Sequence, residues 1–416
     1  MVVEGFHHGS GCTVIKKILI GMLKPGMYVS DLNNQWVPSN NASRSGKIGN
    51  QATIEKIKRL GVTELYIDTA KGLDCPEALP ADEQKQIQAQ QLESLQLQSD
   101  AGTALKRVPV SQERDRAEKR YQQARTVLDD VLNDVKNNQP IDVAAVDETS
   151  EELLESLNTN ENALACLSHI RSKDTYLLQH SINVGILLGI FGRSMRLEPT
   201  VLKELVIGGI LHDIGKVLVP DSILHKPGKL EAEEWEEMKR HVTYGEKILD
   251  VTAGLSDLSR SICQLHHERL DGTGYPRNKT GDQIDRYGRM AAICDVYDAV
   301  TADRVYHAGM APDMALRKLI EWSVFHLDKD LVYDFIRCLS VYPVGTLVEL
   351  TRNRAGVVVE ANRRSPKHPM VRVFYNTVNR HQVEPVLVDL SSENAKYDIV
   401  GTLDARQLNL DVTPFL

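Results

Sequence analysis

VIGGILHDIGK, residues 206–216, decides how this chain is read. Six apolar or glycine residues run into His212 and Asp213, and Lys216 follows one helical turn after His212. An apolar helix that ends on an imidazole and a carboxylate must find those groups a partner, because burying them unpaired is costly. Four further segments, working outward, have the same character. His180 sits in YLLQHSINVGILLGI (176–190) and His241 in EEWEEMKRHVTYGEKIL (233–249). His266 and His267 end SICQLHH (261–267), just before ERLDGTGYP (268–276), and Asp295 lies in RMAAICDVYDAV (289–300). The pattern is H-x31-HD-x27-H-x24-HH-x27-D, so five of the 13 histidines fall at or inside apolar helices beside two aspartates.

The rest of the chain frames that region. Its 416 residues allow two or three domains. With 42% hydrophobic and 25% charged residues it is neither disordered nor fibrous, and only 5% aromatics leave the core to Leu, Ile, Val and Ala. A net charge of −8 and a pI near 5.9 exclude a broadly basic surface for long nucleic acid. Cys12, Cys75, Cys166, Cys263, Cys294 and Cys338 are widely spaced without a CxxC, which predicts reduced thiols and a cytoplasmic protein. No apolar run approaches the roughly 18 residues of a membrane span. Residues 14–29 are broken by Lys16, Lys17, Lys24 and Pro25. His7 and His8 read as part of a flexible tail rather than a metal site.

The expected fold class is multidomain and mainly α. Residues 13–72 form a small α/β domain of regulatory character, with Ile54, Ile57 and Leu60 on one helical face and Gly61 as its stop. Residues 73–112 are a Gln-rich linker, a solvated helix or partly disordered, and 113–160 are connecting helices. Residues 161–340 are the helical core that carries these histidines and aspartates. In 341–416 the period changes to that of strands (TLVEL, GVVVEA, MVRVFYN, PVLVDL), with NRAG as a hairpin signal, giving a β appendage.

A lone histidine on an apolar helix is ordinarily a satisfied core or surface residue, and that reading suits His169, His225, His326, His368 and His381. The cluster is different, because a divalent metal offsets the cost of burying several imidazoles and carboxylates together. Five histidines and two aspartates exceed the needs of one ion and divide between two. His180, His212 and Asp295 would hold the first; His241, His266 and His267 the second; Asp213, with two oxygens, would bridge them. Imidazole and carboxylate without thiolate suit iron or manganese, with cobalt, nickel or zinc also compatible. A two-ion centre in an acidic protein is locally positive, as an anionic phosphodiester requires. Lys216 is placed to reach a phosphate oxygen or the leaving oxygen, or else is a solvated helix-end lysine.

On these residues the sequence resembles the HD-GYP family of bacterial cyclic dinucleotide phosphodiesterases, over roughly 165–340. The matching pieces are DTYLLQHSINV, GILHDIGK, HVTYGEKIL, HHERLDGTGYP and DVYDAVTADRVY. The resemblance implies that the seven residues above are metal ligands, that Asp213 and Lys216 are catalytic, and that Lys216, Gly274, Tyr275, Pro276 and Arg304 meet the substrate. Asp298 matches a family position near the metals, as support for a ligand or as a helix salt bridge. Some members carry a Glu four residues before the first ligand histidine, which helps hold a third metal. Here Tyr176 stands there and Asp174 points elsewhere, so two ions are expected. The usual Arg-Pro-Tyr stretch has Val305 in place of Pro, and His307 follows where a basic residue is usual.

KKILIGMLKPGMYVSDLNNQW with RLGVTELYIDTAKG is similar to a domain of unknown function that precedes HD-GYP in bacterial proteins, among them phosphodiesterases of 3′3′-cyclic GMP-AMP. That association favours cyclic GMP-AMP, cut to linear pApG, over cyclic di-GMP, cut to pGpG or GMP. A non-catalytic cyclic dinucleotide receptor and a mononucleotide phosphohydrolase are the rival readings. Expected partners are the cyclic dinucleotide and, in a compatible assembly, a second copy in a homodimer, with no membrane.

Overall fold

The structure is a computed structural model that describes residues 14–33, 45–59, 62–97, 108–170, 176–228, 230–302 and 309–416. His7, His8, Leu60, Gly61, Asp174, Arg304, Val305 and His307 lie outside the described residues.

Residues 1–90 form one compact unit and 91–416 a second. The first is built on β1 (Ile15–Leu19), β2 (Tyr28–Asp31), β3 (Gly46–Lys47), α1 (Gln51–Arg59) and β4 (Glu64–Asp68). The strands pair antiparallel in the order β1-β4-β2-β3. Gly26, at φ +97°, turns the chain into β2. Ile54 and Ile57 of α1, three residues apart, bury with Ile18, Val29, Leu65 and Ile67 of the sheet. Within the stretch expected to link the domains, α2 (Ala81–Leu97) is a helix.

The second unit opens with α3 (Val110–Lys136) and α4 (Val143–Ser168), two long helices packed side by side. Ala117, Tyr121, Ala124, Leu128, Val131 and Val135 recur at three- and four-residue steps and bury one face of α3. Asp142 caps α4 by accepting the Ala145 N–H at 3.1 Å. α5 (Tyr176–Ser194) is buried over most of its circumference. It crosses α6 (Pro199–Leu211) where Gly185 meets Gly209; a Cβ on Gly209 would lie 2.6 Å from the Gly185 Cα. This backbone approach fixes the helix carrying His180 against the helix that ends at His212.

A 3-10 turn (Ile214–Leu218) follows, then α7 (Asp221–Leu224), α8 (Ala232–Lys239), α9 (His241–Asp250) and α10 (Asp257–Leu265). Next come α11 (Arg286–Thr301), α12 (Pro312–Trp322) and α13 (Lys329–Leu339). Ser256 and Asp285 cap α10 and α11 by accepting the N–H groups of Ser259 and Gly288.

The chain ends in β5 (Leu347–Leu350), β6 (Arg354–Glu360), β7 (Met370–Asn376), β8 (His381–Asp389) and β9 (Ile399–Thr402), an antiparallel sheet ordered β8-β7-β6-β5-β9. Arg352 and Asn353, both at positive φ, make the β5–β6 hairpin turn. One face buries Val357, Val359 and Phe374 together with Cys166 of α4. The molecule is mainly helical, with a small sheet towards each end, as the patterning predicts. Among the described residues, no helix is long and apolar enough to cross a membrane.

Candidate metal centre

Every helix terminus or interior picked out by the sequence delivers its side chain to one place. His212 is the C-cap of α6 and Asp213 precedes the 3-10 turn. His241 opens α9, His266 caps the C-terminus of α10, and His180 and Asp295 project from the interiors of α5 and α11. Gly215 makes the approach possible. A Cβ there would lie 1.9 Å from the His241 carbonyl oxygen and 2.3 Å from the Gly245 nitrogen. Glycine alone lets the HDIGK turn lie against the helix that presents His241.

The ligand atoms fall into two groups, each spanning no more than 4.8 Å: His180, His212 and Asp295, and Asp213, His241, His266 and His267. Asp213 faces both. Its Oδ2 is 3.3 Å from His212 Nε2 and 3.5 Å from His180 Nε2, while its Oδ1 is 3.3 Å from His241 Nε2 and 3.8 Å from His266 Nε2. Asp295 also reaches both ways, with Oδ1 3.0 Å from His180 Nε2 and Oδ2 3.6 Å from His267 Nδ1.

The second nitrogens explain the orientation. His212, His241 and His266 place Nδ1 at 2.7, 2.7 and 2.8 Å from the carbonyls of Gly209, Met238 and Cys263. A carbonyl only accepts, so the proton sits on Nδ1 and Nε2 keeps its lone pair. Nε2 of all three rings, and Oδ1 of Asp213, are buried without a hydrogen-bond partner. Four orphaned acceptors aimed at common points are costly in a protein interior, and divalent cations are what such a set of imidazole and carboxylate donors fits.

The electrostatics agree. Burial pulls His241 and His266 down to about 4 and about 3 and holds His267 well below the usual imidazole value, so these rings stay neutral near pH 7. Burial pulls on His180 as well, but Asp295 and Asp298 outweigh it and raise its pKa. Burial opposes the charge on Asp213, yet Lys216 and then His212 hold it well below the usual carboxylate range. The hydrogen bond from His180, against the same burial, keeps Asp295 low. The site therefore holds two carboxylates that draw positive charge.

Around the centre, Lys216 Nζ hydrogen-bonds Asp213 Oδ2 instead of pointing into solvent. Asp298 Oδ2 lies 2.7 Å from His180 Nδ1 and orients that ring, the supporting role left open by its sequence position. Tyr176 lies parallel to His180, with centroids 5.7 Å apart. Gly272, at φ +76°, and Gly274 carry the chain round to Tyr275. The Tyr275 ring is 4.6 Å from that of His267, and a cis peptide joins it to Pro276. Arg304 lies outside the described residues. His169, His225, His326, His368 and His381 belong to neither group. His326 is buried, with Nδ1 3.0 Å from Asp271 Oδ2 in the loop before Tyr275.

Three neighbours escaped sequence reasoning. Trp235 of α8 stands edge-on to Tyr275 at 5.9 Å, but in sequence it is one apolar residue in an amphipathic helix. Asp271 paired with His326 joins residues 55 apart, a contact no local pattern encodes. Glu268 is 2% exposed, and its only signal is a carboxylate placed directly after two ligand-type histidines.

Two family models match the chain, meeting within α4 rather than at the boundary of the compact units. Residues 153–331 match the HD domain model, and residues 15–146 match a domain of unknown function, DUF3391. A cyclic di-GMP phosphodiesterase of Pseudomonas aeruginosa is 34% identical over 397 residues, 95% of this chain and 94% of that protein. A 3′3′-cGAMP-specific phosphodiesterase 2 of Vibrio cholerae is 45% identical over 123 residues, 29% of this chain and 24% of that protein. Among solved structures, an HDG"Y"P protein from Bdellovibrio bacteriovorus covers 77% of this chain and 98% of that chain, with a TM-score of 0.46 and 15% identity. With its paired His/Asp groups, its HDIGK turn and its GYP loop, and with a relative matched along nearly its whole length, this chain belongs to the HD-GYP family of cyclic dinucleotide phosphodiesterases.

Proposed function

We propose that this protein hydrolyses cyclic di-GMP to the linear 5′-phosphorylated dinucleotide pGpG at a two-metal centre. The observation that carries the chemistry is Asp213: one buried carboxylate with each oxygen turned to a different set of imidazole lone pairs. His180, His212 and Asp295 would hold one ion and His241, His266 and His267 the other, with Asp213 shared between them. An all-nitrogen-and-oxygen donor set suits iron or manganese. A divalent pair so held acidifies water and neutralises phosphoryl oxygens.

The chain's own groups supply the rest. Water gives up a proton as its oxygen bonds to phosphorus, the bond from phosphorus to the 3′ oxygen breaks, and that oxygen takes a proton in turn, so none is consumed overall. The Lys216 ammonium, beside the shared carboxylate, is placed to hold a phosphoryl oxygen or to supply that proton. Gly274, Tyr275 and Pro276 border the substrate side, and Arg304 is assigned to its phosphate. The neutral state of His241, His266 and His267 keeps the centre competent for cations near pH 7.

Base preference rests on other ground. A relative aligned over 95% of this chain, the DUF3391 region and the HD region included, is named for cyclic di-GMP, which supports that substrate. Cyclic GMP-AMP, the substrate that the resemblance of the N-terminal segment favours, is the second reading, supported by the 45% identity over 123 residues to the V. cholerae enzyme. The test is purified protein with Mn²⁺ or Fe²⁺, given cyclic di-GMP, cyclic GMP-AMP and a panel of mononucleotides, with products separated by chromatography. The expected outcome is pGpG from cyclic di-GMP at the highest rate. Faster formation of pApG would transfer the assignment to cyclic GMP-AMP, and no linear product from either would defeat the enzymatic reading.

A further inference from the structure

Glu268 is buried beside the metal centre but belongs to neither ligand group. Its carboxylate accepts two backbone N–H groups, from Arg277 to Oε1 at 2.7 Å and from Lys279 to Oε2 at 2.9 Å. These bonds close an arc of chain that contains Gly274, Tyr275 and Pro276. Inside the arc, Tyr275 N donates to the His267 carbonyl at 3.1 Å and Asn278 Nδ2 donates to the Gly274 carbonyl. A Cβ on Gly274 would stand 2.6 Å from the Glu268 Cα, so the arc folds directly onto the backbone of Glu268. The result presents the Tyr275 ring between His267, at 4.6 Å, and Trp235, at 5.9 Å. Each carboxylate oxygen takes one of the two N–H donors, a pair of bonds that a side-chain amide, with one oxygen and one NH2, cannot make in the same geometry.

We propose that Glu268 is a positioning residue: it acts through Tyr275 to set substrate affinity and leaves metal binding and bond cleavage to other groups. The proposal rests on the phosphodiesterase reading above. The test is Glu268→Gln, which keeps size but turns an amide donor towards one of the two N–H groups. With two ions still bound, KM for the cyclic dinucleotide should rise about tenfold while kcat stays within about threefold. Tyr275→Ala should raise KM similarly, and adding Glu268→Gln to it should change KM by no more than about twofold, as expected of residues acting as one unit. Full additivity, an unchanged KM in Glu268→Gln, or loss of metal from that variant would each overturn the proposal.

A wild-type protein that cleaves no cyclic dinucleotide would defeat the functional reading alone. The loop would then be judged by tryptophan emission. Glu268→Gln should shift it, and the shift should vanish in a Trp235→Phe background; identical spectra for wild type and Glu268→Gln would overturn the proposal.

Discussion

Asp213 shows how much one side chain can be asked to do. It is 1% exposed and sits among four imidazoles, with Oδ2 turned to His180 and His212 and Oδ1 to His241 and His266. Asp213→Ala therefore should empty both groups of metal and lower turnover by on the order of 10³-fold or more, with the helical content unchanged. Metal analysis with circular dichroism and product chromatography checks this; near-normal metal content would remove Asp213 from its bridging position. The seven converging side chains are legible in the sequence because chemistry-bearing residues on apolar helices need a common partner. Glu268 is not, because its bonds run to backbone N–H groups, which no residue pattern advertises. Trp235 is hidden for a different reason: at helical spacing a tryptophan that faces a ligand and one that faces a core look the same.

At the scale of elements, close approach rather than side-chain bonding sets the geometry. The 3-10 turn after Asp213 lies against α9 through Gly215 and Gly245, and α5 meets α6 through Gly185 and Gly209. Gly215→Ala should cost about 1–3 kcal/mol, because the new methyl group meets backbone atoms that cannot rotate away. It should also weaken the half of the centre that contains His241. Thermal unfolding, and titration with Mn²⁺ followed by metal analysis, give the two readouts; a stable variant with both ions at wild-type affinity would show that the turn and α9 can part without cost. The Pro-Gly turn is readable because φ constraints act locally; of NRAG only Asn353 lies in the hairpin turn, and Arg354, Ala355 and Gly356 belong to β6. β9 is not, since Ile399–Thr402 has only four residues and becomes a strand by pairing with β5.

For the molecule as a whole, acid stability follows from a contact between distant segments. Burial works to raise the Asp271 pKa, but the hydrogen bond with His326 prevails and lowers it to about 2 from an ordinary 3.8. A carboxyl depressed on folding contributes stability that is complete above the unfolded value and is lost as pH falls through the folded one. The contribution is roughly 1–2 kcal/mol. Asp271→Asn should thus unfold at a lower temperature than wild type at pH 7, and the gap should close between about pH 4 and pH 2. A gap that stays constant over that window would show that the pairing with His326 carries no charge-dependent stability. The mainly helical plan with a sheet towards each end is legible from the change of periodicity along the chain. The pairing of Asp271 with His326 is not, because it depends on how α12 turns back, and nothing in either segment alone records that.

All seven chemistry-bearing side chains fall between His180 and Asp295, and neither sheet contributes one. A change confined to either sheet would consequently leave all seven of these side chains, and Asp298 that orients His180, in the chain.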